Sequence, residues 1–293
     1  MLFRSTNEES NTVTVIDRSS DRVIDVLEVG VRPKGIVVSP DSSRAYVVNS
    51  GSNNLTVLDV KKNRVFHTVN LEIAANPSDV AIHPSGRTLY VANTALNSVS
   101  VIDAASFQLI EMIAVGQRPV ALATDLNGTR LLVANMGSNT VSVIDTGRNR
   151  VAATIPVELQ PIAVSFDPNG SRAFISHLRS PRIAVISLSN LRVEGRVNTG
   201  PAAALLPDAL SRRLFVGVLN QNRLALFDVN IDAELSSVGV GKEPNRIALD
   251  ADRGKLYVVN RGSDSITVVD RDTRSVRTEI PTSKRPYGII VIR

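Results

Sequence analysis

The side chains able to do acid–base or metal chemistry are few: three histidines, His67, His83 and His177, and no cysteine in 293 residues. Without cysteine there are no disulfides, no thiolate nucleophile and no sulfur-ligated zinc. None of the histidines has a second histidine or a carboxylate at metal-ligand spacing, so neither a metal nor a cofactor is expected. The run Asp250-Ala251-Asp252-Arg253-Gly254 lacks the distal glutamate of a calcium loop and reads as a plain turn. No glycine-rich phosphate loop and no nucleophile elbow occurs. One histidine, His177, remains as a weak candidate for a general base, which leaves open whether the protein is an enzyme. The other available chemistry is ionic. Asp79 and Arg246 carry opposite charges at matching places in two distant segments, and Arg32, Arg118 and Arg285 occupy another set of matching places. Brought together, these five would form a mainly positive funnel suited to a carboxylate or phosphate. The alternative is that each pairs locally and binds nothing.

Whether they meet depends on the elements that carry them. The stretch Leu131 to Asp145, LLVANMGSNTVSVID, alternates, breaks at a glycine-containing turn and alternates again, which is the pattern of a β-hairpin. Its closing residue has counterparts at Asp17, Asp59, Asp103, Ser187, Asp228 and Asp270, spaced 42, 44, 42, 42, 41 and 42 residues apart along the chain. A period of this size marks a repeat architecture whose units bury their apolar faces against neighbours. Within one repeat, PKGIVV, RAYVVN, LTVLD and RVFHTVNLE read as strands A to D joined by tight turns, one antiparallel four-stranded blade. A proline heads strand A at Pro33, Pro77, Pro119, Pro161, Pro201, Pro244 and Pro286, where a missing N–H breaks no ladder bond. The chain starts on a degenerate strand B, Leu2 to Asn7, and ends on a strand A. The expected fold is therefore an all-β, seven-bladed β-propeller forming a single domain, residues 1–293. Its ring is closed by one blade shared between residues 1–30 and 284–293.

With strand A innermost, the D-to-A and B-to-C loops surround one mouth of the central channel. Arg32, Asn76, Arg118, Gln160, Gly200, Glu243 and Arg285 then form one ring, and Asn7, Asn49, Asn93, Asn135, His177, Val218 and Asn260 a second. The asparagines are expected to serve the turn, since Asn tolerates the left-handed conformation; His177 and Val218 break the pattern. Two residues past the strand-A proline the copies carry Gly35, Asp79, Ala121, Ala163, Ala203, Arg246 and Gly288. Five small residues imply crowding at the axis, and Asp79 and Arg246 are placed to face each other across it. His67 falls in an outer strand D and His83 in an A-to-B turn on the opposite face.

The repeat vocabulary, YVVN followed by TVLD (Tyr46 to Asp59), YVANTALNSVSVID and YVVNRGSDSITVVD, resembles that of the YVTN-type β-propeller family over the whole chain. The resemblance implies a seven-bladed propeller, often extracytoplasmic or in surface layers, with lactonase-type propellers among its distant relatives. An extracytoplasmic location is thus an expectation, although the N-terminal residues carry no signal-peptide core. No apolar run is long enough to span a bilayer. The net charge of +5 comes from arginines spread along the repeats, and aromatic residues are only 4%. Nucleic acid is accordingly an unfavoured partner, and a reading as a nucleic-acid-binding propeller would require strongly salt-dependent binding. A monomeric binding scaffold for a protein partner or a small anionic ligand fits best; a lactonase-like hydrolase or lyase acting on a small anion is the alternative.

Overall fold

The computed structural model describes residues 2–208 and 213–292. It contains seven four-stranded antiparallel sheets. Numbering blades from Pro33, the A strands are Pro33–Val38, Pro77–Ile82, Pro119–Thr124, Pro161–Phe166, Ala202–Asp208 and Pro244–Asp250, with Pro286–Val291 serving blade 7. They touch one another in this order around the axis, the seventh meeting the first, so strand A is innermost and the ring is closed. The last A strand, Pro286–Val291, pairs antiparallel with Leu2–Asn7, and that segment continues through Thr12–Asp17 and Arg22–Glu28 as strands B, C and D of blade 7. Both ends of the chain thus complete one blade, as the strand count requires; Met1 and Arg293 lie outside the described residues.

The core consists of the joints between blades. Tyr46, Val48 and Leu55 of blade 1 pack on Val80, Ile82 and Leu89 of blade 2, and the same pattern recurs around the ring. The closing blade is packed on both flanks: Phe3, Ile16 and Ile289 against Tyr257 and Ile266 of blade 6, and Val13 and Ile290 against Ile36, Val47 and Leu58 of blade 1. Each such fully buried apolar side chain contributes about 1.5–3 kcal/mol. The C and D strands slip by one residue at equivalent places in every blade, for example Val57/Leu58 and Val143/Ile144. Such bulges increase the local twist, and here they recur at the outer part of each sheet. The sequence gives no sign of them.

One blade departs from the pattern. In blade 5 the B-to-C connection forms a short 3-10 turn, Leu219–Gln221, directly after Val218, and its A strand begins one residue after Pro201.

Candidate functional site

The two rings of the mouth are set by the backbone. Every residue of the first ring has a positive φ: Arg32 (54°), Asn76 (45°), Arg118 (52°), Gln160 (58°), Glu243 (53°) and Arg285 (53°), with Gly200 at 86°. This left-handed conformation is unfavourable for a side chain with a Cβ. It is held by a side chain from the preceding blade: the N–H of Arg118 donates to Asn97 Oδ1 at 2.9 Å and that of Arg32 to Asn11 Oδ1 at 2.8 Å, and Asn53, Asn139, Asn222 and Asp264 serve the others alike. Blade 4 has Pro181 in the corresponding turn, and the residue left without that acceptor is Gly200.

The second ring corrects the sequence reading. The asparagines closing strand B are extended and fully buried; the left-handed residues are those four positions later, such as Asn53 and Asn139. Each strand-B asparagine instead reaches across to strand C: Asn135 Nδ2 donates to Thr140 Oγ1 at 3.1 Å and Ser142 Oγ at 2.9 Å, and Asn49 to Asn54 Oδ1 and Thr56 Oγ1 at 2.8 Å. His177 occupies the same slot. Its side chain is 0% exposed, its Nδ1 donates to the Arg182 carbonyl at 2.9 Å, and its Nε2 lies 3.5 Å from Glu158 Oε2. Burial pushes the imidazole below its ordinary pKa, against the Arg182 carbonyl and the Glu158 charge. The ring is enclosed within blade 4, and the charged residues around it are Glu158 and Arg196, not Asp79 or Arg246.

Asp79 and Arg246 do meet. Arg246 Nη2 lies 3.9 Å from Asp79 Oδ2 across three blade steps. The carboxylate is fixed by two backbone donors, its own-strand Val80 N–H at 3.1 Å and Leu122 N–H of blade 3 at 3.0 Å. Burial pushes the Asp79 carboxyl up despite Arg246 and these two donors. The small residue expected here is explained by the contact: a Cβ on Gly35 would fall 2.7 Å from Asp79 Cα. Arg246 donates to its neighbour's carbonyl, Asn245 O, at 3.3 Å and places its guanidinium 5.3 Å from the centre of the Tyr287 ring.

The other predicted cations are placed differently. Arg32 pairs with Glu8 at 3.3 Å, its side chain 62% exposed; Arg285 pairs with Glu9 at 3.1 Å; Arg118 is exposed on the rim. The sequence reading missed four residues that complete the mouth. Glu8 is buried and bonded by Arg261 Nη2 at 2.7 Å. Burial alone would push its carboxyl up, but Arg261, Lys34 and Arg32 outweigh that and hold it below its usual value. Arg261 lies 6.0 Å from the Tyr287 ring centre, its Nε buried without a partner and its Nη1 3.8 Å from the half-exposed Glu243. Burial lowers the Lys34 ammonium, opposed by Glu8 and reinforced by Arg32 and Arg261. Burial likewise raises the Tyr287 phenol. A signal for two of the four was present: one position past the asparagine ring the copies carry Glu8, Ser50, Thr94, Met136, Leu178, Leu219 and Arg261, opposite charges in adjacent blades.

Residues 19–154 match the family described as lactonase, 7-bladed beta-propeller. The lactonase match includes Arg32, Lys34 and Asp79, while Arg246, Arg261 and Tyr287 lie beyond it. No curated protein matches. Among solved structures, one titled as Kuenenia stuttgartiensis hydrazine synthase superposes with a TM-score of 0.82 at 21% identity, over 90% of this chain and 91% of that one. A functionally unknown protein from Desulfotomaculum acetoxidans DSM 771 gives 0.87 at 15%, over 100% and 99%. Dihydro-heme d1 dehydrogenase NirN, in complex with DHE, gives 0.74 at 16%, over 99% and 75%. These likenesses establish the propeller fold. Among the described residues no group of three or more His, Asp or Glu could hold a metal, and no helix is long and apolar enough to cross a membrane.

Proposed function

We propose that this protein is a binding propeller that takes a small anionic ligand at the mouth where Arg246, Arg261 and Lys34 converge. The observation that carries the reading is the Arg246 guanidinium. It has been brought from blade 6 to within 3.9 Å of Asp79, too far for a hydrogen bond, and so retains donors for an incoming oxyanion in a half-buried setting where charge-assisted bonds are strong. Calorimetric titration with a panel of monocarboxylates, dicarboxylates and phosphate tests it: wild type binds at least one, and Arg246→Ala abolishes that binding. Unchanged binding in the variant would remove Arg246 from the site.

A second reading, a lactonase-like hydrolase acting on a small anionic ester or lactone, is favoured by the family match over residues 19–154. The residue that would serve is Asp79, whose carboxyl burial pushes up, toward the protonated form a general acid needs; the enclosed His177 is not placed for it. Turnover of lactones bearing a carboxylate or phosphate, lost in Asp79→Asn, would support this reading. Absence of turnover with intact binding would leave the binding propeller. The repeat vocabulary further supports a YVTN-type propeller outside the cytoplasm, which cell fractionation tests; that it works as a monomer is a separate proposal, which sedimentation tests. The outer D strands expose Ile24, Phe66 and Ile110, surface on which a protein partner would settle.

A further inference from the structure

The charged groups of the mouth fall into two foci flanking one aromatic ring. At the first, Arg246 stands over Asp79, which is held by two backbone N–H groups. At the second, Arg261, Arg32 and Lys34 surround Glu8. Tyr287, from the A strand that closes the ring, lies between them, its centre 5.3 Å from the Arg246 guanidinium carbon and 6.0 Å from that of Arg261. Each focus holds more positive than negative charge or leaves a cationic donor unmatched. Arg246 is beyond hydrogen-bond reach of Asp79. At the second focus three cations face one buried carboxylate, and the Arg261 Nε is buried without a partner. Glu243, 3.8 Å from Arg261 and half exposed, stands on the solvent side, where water screens it. Arg32, 62% exposed, is screened in the same way, so Arg246, Arg261 and Lys34 face the two enclosed carboxylates Asp79 and Glu8 and leave an excess of one positive charge. A donor buried without an acceptor is unfavourable, so a ligand acceptor gains at Arg261, while at the half-buried Arg246 it adds a charge-assisted bond.

We propose that the mouth takes a short dicarboxylate laid across Tyr287, one carboxylate on Arg246 and the other on Arg261 and Lys34. The proposal rests on the anion-binding reading above and goes further by fixing the number and separation of the charges. One carboxylate at each focus supplies an acceptor to the guanidinium there, a short methylene body covers the ring, and a planar carboxylate accepts from a guanidinium in a two-pronged arrangement. A compact dianion such as phosphate would serve one focus and leave the other unmatched.

Titration calorimetry of the full chain with succinate, glutarate, adipate, hexanoate and phosphate separates these possibilities. One of the dicarboxylates is expected to bind at least about tenfold more tightly than hexanoate, since it adds a second charge-assisted contact in a half-buried site. Arg246→Ala and Arg261→Ala should each reduce that affinity to the level of hexanoate, with melting curves confirming that the variants fold; Arg246→Lys and Arg261→Lys stand in if either alanine variant does not. Hexanoate binding as tightly as every dicarboxylate, or phosphate binding more tightly than every dicarboxylate, overturns the two-focus proposal while the anion-binding reading survives. Absence of binding by any of the five overturns both.

Discussion

His177 shows how one substitution in a repeat changes the chemistry of a slot. Five blades place a neutral asparagine there, with its amide nitrogen bonded to strand C. Blade 4 places an imidazole that is fully enclosed and donates from Nδ1, so its Nε2 presents a lone pair toward Glu158 Oε2 at 3.5 Å. Protonating it would place a charge in a buried slot, and burial is the main cause of its lowered pKa. The sign follows: a folded-state pKa below the unfolded value of about 6.5 means the unfolded chain binds more protons. His177 therefore withdraws stability as pH falls below about 6.5. Urea unfolding of wild type and His177→Asn at pH 7.5 and pH 5 should show a smaller loss at pH 5 in the variant; equal losses would mean that the imidazole titrates as it does in the unfolded chain. The sequence marked this position as exceptional because it broke the pattern. It could not show that the exception points into the blade, since a residue at the end of a strand reads equally as rim or as interior.

At the scale of the hairpin, what was legible was spacing. The B strand, the glycine-containing turn and the C strand follow from alternation and turn residues, and the structure reproduces Arg130–Asn135 and Thr140–Asp145 as paired strands. The job of the closing asparagine was misassigned, because two asparagines four residues apart compete for one turn and composition does not say which takes the left-handed conformation. Asn139 does; Asn135 is the cross-strand clasp. Its slot is also bounded by Gly116, where a Cβ would come within 2.6 Å of Asn135 Nδ2. Asn135→Ala should cost about 1–2 kcal/mol, the loss of two neutral hydrogen bonds partly recovered between the hydroxyls of Thr140 and Ser142. Gly116→Ala alone should cost about 1–3 kcal/mol through overpacking. In the double variant the Asn135 obstacle is gone and only Ser138 Oγ, at 2.5 Å, still crowds the new methyl, so denaturant unfolding should give a loss below the sum of the two. Full additivity would show that glycine and asparagine do not share that slot. The same limit explains the mouth: Asp79 and Arg246 were found as opposite charges at equivalent places, whereas Tyr287 and Lys34 were hidden one position earlier, where A strands carry residues of every type.

For the whole molecule, closure decides stability, and it was readable from the order of strand types alone: a chain that starts on B and ends on A must share a blade. The chemistry of the seam was not readable, because it joins residues more than 200 positions apart. On the face opposite the mouth, the fully buried Arg18 of blade 7 bonds the blade 6 carboxylate Asp250 through Nε at 2.7 Å and through Nη2, and Asp252 at 3.2 Å. Its Nη1 donates to the carbonyl of Ile292 at 2.8 Å, tying in the last A strand. Lys255 Nζ of blade 6 bonds the Arg18 carbonyl at 3.1 Å and Asp21 at 2.6 Å. Removing one partner of such an enclosed pair leaves the other charged and alone, so Arg18→Met should cost about 3–5 kcal/mol. At about 2–4 °C per kcal/mol for a chain of this size, the melting temperature should fall by roughly 10 °C. Arg18→Met with Asp250→Leu should recover much of this loss, because a matched apolar pair is often as stable as a buried ion pair. Deleting Pro286–Arg293 removes the inner strand of blade 7 along with the Ile292 carbonyl, and should lower the melting temperature further than Arg18→Met. A truncated chain melting with the wild type would mean that blade 7 closes without its last strand.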